Sequence, residues 1–271
     1  MSKPLSIEPL QGIPSVWRAD ALADSAGLVV ATGSSVLDAQ LPGGGWPVGS
    51  AVEILQAHSA RQASHCEWRL LLPALIHLSH LTPASSGALV LVGAPHAPFC
   101  PGLAGQGLDT QRLLCIATTT SASRLWATEQ ALRCADVAAV LAWLPHVRSE
   151  QLRRLQMAAT VHTKLLFVMR PAQAQAESSP AALRLLVAIQ ADSDALELHI
   201  LKRRGPPLAQ PLLLPARPAR LAALLAIQSG PLRQPSQGIE ADHAPAVPAT
   251  PAAIYTLPKA GHALDRIAAA A

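Results

Sequence analysis

At 271 residues the chain is long enough for one large domain with appendages, and half of its residues are apolar, so a sizeable core can be buried. Aromatic residues make up 3% and charged residues 14%, the latter well below the roughly one quarter usual in globular domains, so the bulk comes from Ala, Leu and Val. The net charge of +4 is too mild to require a nucleic-acid partner, and no stretch of 18 uninterrupted apolar residues offers a membrane-spanning helix. Cys66, Cys100, Cys115 and Cys134 form no C-x-x-C pair, which speaks against a disulfide scaffold or a zinc ribbon and for reduced thiols. The first 14 residues lack the basic and apolar blocks of a secretory signal. A soluble cytoplasmic protein without membrane contact is expected.

Residues 1–40 form a lead-in, with a short helix expected at 15–22. The run Leu41-Pro-Gly-Gly-Gly-Trp-Pro-Val-Gly49 is a sharp turn in which the glycines let backbone pack closely. A buried strand is expected at 51–55, then a helix at 64–81 opened by Ser64 and Glu67 in capping-box spacing. The apolar run 88–93 ends at glycine like a central parallel strand. Gly102, Gly105 and Gly107 fit a loop with a short helical turn rather than a dinucleotide fingerprint. The alternation then continues: strand 113–117, helix 121–134 with Arg124 and Arg133 off its apolar face, strand 137–143, helix 149–162 capped by Ser149, and strand 164–169. This is the pattern of an α/β fold with a mostly parallel central sheet flanked by helices.

From residue 182 the texture changes. Strand-like runs at 182–190 and 195–202 with only Ala-Asp-Ser-Asp between them predict an antiparallel hairpin added to the sheet edge. Eleven of the 24 prolines fall in residues 206–271, so a Pro/Ala-rich, disordered tail is expected from 215 onward, with one helix at 217–229.

The glycine-rich turn, strand and helix invite a search for a phosphate-binding loop, which needs backbone amides, a lysine for the phosphate oxygens and a hydroxyl for magnesium. The loop after the first long strand, residues 56–67, has no glycine and no lysine, and no lysine occurs anywhere between Lys3 and Lys164. His77 and His80 lie one helical turn apart but have no carboxylate or cysteine beside them, which favours surface histidines over a metal pair. No cofactor is expected. The positive signal is a stretch without acids between Glu197 and Glu240 that carries Lys202, Arg203, Arg204, Arg217, Arg220 and Arg233. These cations, above all the first five, are the candidate contacts for a protein partner or for DNA.

The run from Leu41 to Leu55 resembles the start of the RecA ATPase core, where such a turn and strand lead into the nucleotide loop. The segments Gly93-Ala-Pro-His-Ala97 and Gly107-Leu-Asp-Thr-Gln-Arg-Leu-Leu114 resemble the region after that core's second strand. The chain is most similar to the ImuA family, RecA relatives of the bacterial SOS mutagenesis cassette. The phrases that carry this likeness are Leu70-Leu-Leu-Pro-Ala-Leu75, Ala127-Thr-Glu-Gln-Ala-Leu-Arg133, Ala138-Ala-Val-Leu-Ala-Trp143, Leu152-Arg-Arg-Leu-Gln156, Pro180-Ala-Ala-Leu-Arg184 and Leu201-Lys-Arg-Arg-Gly205. The resemblance covers about residues 37–214 and implies three segments: a lead-in at 1–40, a RecA-like core at 41–214 and the tail at 215–271.

Carried over residue by residue, the RecA activity fails. The loop 56–67 lacks the Walker A lysine, Ala94-Pro95-His96 stands where a catalytic glutamate is expected, and Ala142-Trp143-Leu144 stands where the Walker B aspartate is expected. The resemblance therefore implies a non-enzymatic accessory protein of damage-induced translesion DNA synthesis. Its implied partners are ImuB, an inactive relative of Y-family polymerases, and an error-prone replicative-type polymerase α subunit, with RecA and DNA as further candidates. A weaker likeness to SulA implies the alternative, a division inhibitor that binds the tubulin-like division protein. A third class, an ATPase using non-standard residues, lacks the positioned cations and base that phosphoryl transfer needs.

Overall fold

The computed structural model describes residues 27–56, 66–80, 87–190, 195–208 and 210–215, together with the backbone of 254–256. The expected strands at 51–55, 88–93, 113–117, 137–143 and 164–169 are present as β3 (Ser50–Gln56), β4 (Ala88–Val92), β5 (Leu113–Ala117), β6 (Val137–Trp143) and β7 (Leu165–Pro171). With β8 (Leu183–Ile189), β9 (Ala195–Lys202), β10 (Leu212–Pro215) and β11 (Ile254–Thr256) they form one nine-stranded sheet in the order β10-β9-β8-β3-β7-β6-β4-β5-β11. The six strands from β8 to β5 run parallel, and β11 runs parallel to β5. Strands β8, β9 and β10 follow one another antiparallel. The α/β, mostly parallel architecture is as the sequence predicts.

Side chains on alternate faces of these strands bury two apolar layers, as the two-residue period of a strand requires. On one face Val52, Ile54, Leu91, Leu141 and Phe167 meet Leu71 and Leu75 of α2 (Cys66–Ser79). On the other, Ala51, Val90, Val140 and Leu166 meet Leu132 of α4 (Ser121–Arg133) and Leu152 and Leu155 of α5 (Ser149–Val161). The glycine cluster at 102–107 forms the short α3 (Cys100–Gly105).

Local chemistry fixes the helix starts. Thr120 caps α4 by accepting from the Ser123 amide at 3.1 Å, and the Ser123 hydroxyl accepts from the Thr120 amide at 3.2 Å. At α5 the expected Ser149 cap is corrected: Arg148 is the capping position and its amide donates to Gln151 Oε1 at 2.9 Å. Ser64, and the helices expected at 15–22 and 217–229, lie outside the described residues.

The described part of the lead-in is built into the core. Strands β1 (Val29–Val30) and β2 (Trp46–Pro47) pair antiparallel, and α1 (Ser35–Asp38) buries Leu37 completely. Gly45 is needed where the turn crosses β1, because a Cβ there would lie 2.5 Å from the Val30 carbonyl oxygen. Behind this turn Trp46 packs edge-on against Phe167, with ring centroids 5.4 Å apart.

Two corrections concern the end of the chain. The antiparallel pair expected at 182–190 and 195–202 is present as β8 and β9, but it lies one strand in from the edge, since the chain leaves at Gly205 and returns as β10 on the outer side of β9. Within the tail, residues 254–256 add a ninth strand at the opposite edge.

Candidate functional site

In open α/β sheets ligands bind beyond the carboxyl ends of the parallel strands, so the ends of β3, β4 and β6 are the natural place to look. β3 ends at Gln56, and residues 57–65 of the following loop are outside the described part. Where the chain resumes, Glu67 occupies the first turn of α2, is 3% exposed, and its Oε2 accepts a 2.7 Å hydrogen bond from Gln56 Nε2. The amino end of a helix attracts anions through its free amides and its dipole. Here a carboxylate of the chain itself occupies that first turn.

The ends of β4 and β6 are covered by a cation. Arg124, in the first turn of α4, donates from Nε to Thr118 Oγ1 at 3.2 Å and from a terminal nitrogen to the Trp143 carbonyl at 3.4 Å. It lies across Gly93, whose φ of +64° and lack of a side chain make room for it; a Cβ there would sit 2.5 Å from Arg124 Nε. Arg124 thus lies over the strand ends followed by Ala94 and Leu144, the positions the resemblance assigns to the missing catalytic acids. The helical period alone put this arginine off the packed face; its turn toward the strand ends depends on Gly93, 31 positions away in sequence.

A second arrangement escaped the sequence reading. Glu53, in the middle of β3 and fully buried, bridges two arginines on the flanking strands: its Oε1 accepts from Arg170 at 2.9 Å and its Oε2 from Arg184 at 2.6 Å. Arg170 also donates to Glu177 at 2.6 Å, and Arg184 to the Ala174 carbonyl at 2.8 Å. Burial pushes the Arg170 guanidinium down, but its hydrogen bonds to Glu177 and Glu53 outweigh this and leave it above its usual value. The available signal was an acid inside an otherwise apolar central strand, which demands a buried partner. This cluster ties β3, β7 and β8 together, and Arg170 also donates to the Val147 carbonyl at 3.3 Å.

The basic strand end is more committed than its sequence implies. Lys202 Nζ donates to the Ser179 carbonyl at 2.9 Å. Arg203 donates to the Pro206 carbonyl at 2.8 Å and, from a terminal nitrogen, to the Gln40 carbonyl. Arg203 therefore clamps the lead-in to the end of β9. Arg204 is exposed and makes no hydrogen bond or ion pair among the described residues. Arg203 and Arg204 border a small cleft with apolar walls from Leu28, Val29, Leu41 and Leu183. Arg217, Arg220 and Arg233 lie outside the described residues, so the structure brings together three of the six cations.

His77 and His80 are both exposed, and the His80 ring donates to the Gly107 carbonyl at 2.7 Å. Among the described residues no group of three or more His, Cys, Asp or Glu side chains is placed to hold a metal ion, and no helix is long and apolar enough to cross a membrane.

No protein-family model matches the chain. A cell division inhibitor SulA from Photorhabdus laumondii subsp. laumondii is 32% identical over 97 residues, which is 36% of this chain and 50% of that protein. The chain thus spans half the length of the curated relative it matches.

Proposed function

We propose that this protein is a non-catalytic accessory factor of SOS-induced, error-prone translesion DNA synthesis. In this reading a RecA-like core serves as a scaffold between a polymerase-like partner of the ImuB type and an error-prone polymerase α subunit. The observation that carries the non-catalytic part is the Gln56–Glu67 contact at 2.7 Å. That contact places a buried carboxylate at the start of α2, where a nucleotide's phosphate would come, and the loop 56–67 has neither the lysine nor the glycines that would cradle it. The accessory role rests on the family likeness, and the partial match to SulA, whose family shares the SOS setting, agrees with that setting. Deleting the gene should abolish damage-induced mutagenesis while leaving spontaneous mutagenesis and survival of undamaged cells unchanged. Damage-induced mutagenesis at the parental level would overturn the proposal.

The match to a named cell division inhibitor favours one second reading, in which the core binds the tubulin-like division protein. Overproduction would then arrest division and give filamentous cells without any damage. The accessory reading expects cells of ordinary length.

A further inference from the structure

A small cleft opens at the amino ends of β3 and β8, the opposite end of the sheet from the lysine-free loop. Leu28, Leu41, Val48 and Leu183 wall it, and the β1–β2 pair of the lead-in forms one side. Because β8 and β9 run antiparallel, with Arg184 opposite Lys202, the residues that follow β9 arrive beside the start of β8 and set Arg203 and Arg204 at the cleft. None of the residues that line it is acidic. Its volume is about 70 Å³, half that of an apolar cavity of ~150 Å³ that holds a benzene ring, so it takes about three or four carbons.

We propose that this cleft binds the carboxyl terminus of a partner protein whose last residue is leucine or valine. The aliphatic side chain lies against the apolar wall, and the chain-terminal carboxylate meets Arg203 and Arg204. Each property of this ligand answers a property of the cleft. The volume sets the size of the side chain. Two cations with no acid in the lining set the charge, and a planar guanidinium suits a carboxylate, which it grips through two parallel N–H bonds. Arg203 is held by the Gln40 and Pro206 carbonyls and so is preorganised at the rim. Arg204 has no hydrogen bond or ion pair among the described residues to give up. Cations and wall border the same small space, which favours a side chain and a carboxylate that branch from one Cα, as in a terminal residue. Leu28, 69% exposed, leaves one side open for the rest of the partner chain. An exposed ion pair is weak by itself and so small a wall buries little area, so both halves of the ligand are needed. A bare anion, DNA phosphate included, lacks the aliphatic half. The chemistry of the cleft is the same whether or not the accessory reading holds.

The test uses the full-length chain and follows the methyl signals of Leu28, Leu41, Val48 and Leu183 by NMR as a probe is added. N-acetyl-L-leucine, which carries the side chain and carboxylate of a terminal leucine, should shift them saturably with an affinity on the order of millimolar, as expected of so small a ligand. A Gly/Ser peptide that ends in leucine with a free carboxylate should bind at least as tightly. The amide of either probe should bind about fivefold more weakly, and N-acetylglycine should leave the signals in place. Arg204→Ala should weaken N-acetyl-L-leucine about twofold to fivefold, the range of an exposed ion pair, with the thermal midpoint unchanged. Leu28→Ser, at an exposed position, should weaken it as well. No saturable shift with either probe would overturn the proposal. So would amides that bind as tightly as the acids, N-acetylglycine or a short single-stranded DNA that matches N-acetyl-L-leucine at these signals, or Arg204→Ala at the parental affinity. Binding of N-acetyl-L-leucine but not of the peptide would overturn it too, since the cleft would then serve a free small carboxylate.

Discussion

Gln56 Nε2 and Glu67 Oε2 lie 2.7 Å apart, joining the carboxyl end of β3 to the first turn of α2. The pair bridges the two ends of the lysine-free loop, so the first turn of α2, where a phosphate would meet helix amides, is taken by a carboxylate of the chain itself. ATP should show no saturable binding by calorimetry at millimolar nucleotide, with or without magnesium, and Glu67→Gln should not create it. Micromolar affinity in the intact chain, lost on changes within 56–67, would contradict this account of the site.

The Glu53 cluster predicts a large stability effect. Glu53→Gln keeps the shape but leaves Arg184 buried without its counter-charge and Arg170 with only that of the half-exposed Glu177. Removing one member of a buried pair costs about 3–5 kcal/mol, which denaturant unfolding would read as a lower midpoint with an unchanged slope. Glu177→Gln, whose carboxylate is more than half exposed, should cost far less.

Much of this architecture was legible from the sequence. The runs 88–93, 113–117 and 137–143 are apolar and bounded by Gly93, Thr118 and Pro145, which is what a strand covered on both faces demands. β10 and β11 were not legible, because Pro211, Pro215, Pro251 and Pro258 crowd both strands; each survives as a short edge strand, where a missing donor is tolerated. The Arg203–Gln40 contact joins residues 163 positions apart, and no local pattern encodes it. Periodicity could also not place the Glu53 partners, since cross-strand register depends on which strands become neighbours.

Lys202, Arg203 and Arg204 are adjacent in sequence but should behave differently on substitution. Arg203→Ala frees Gln40 and loosens the lead-in, so it should lower the thermal midpoint. Arg204→Ala should leave the midpoint unchanged while weakening retention of a protein partner by about 0.2–1 kcal/mol, the range for an exposed ion pair. If retention of DNA falls instead, equally for every sequence and with a shallower salt dependence, the cation serves phosphate.

Deleting residues 235–271 removes β11 from the sheet edge. A cooperative transition should remain, because among the described residues the two apolar layers are complete by Leu214. The midpoint should drop modestly, by the equivalent of about 1–3 kcal/mol for a few edge hydrogen bonds. Loss of cooperativity in a thermal scan would place the tail within the core.

Affinity capture of the tagged full-length chain from cells exposed to DNA damage tests the central claim most directly. The account predicts that a polymerase-like protein of the ImuB type and a replicative-type polymerase subunit are retained, and that added ATP does not change the yield. Retention of the tubulin-like division protein, with no polymerase-like partner, would contradict it.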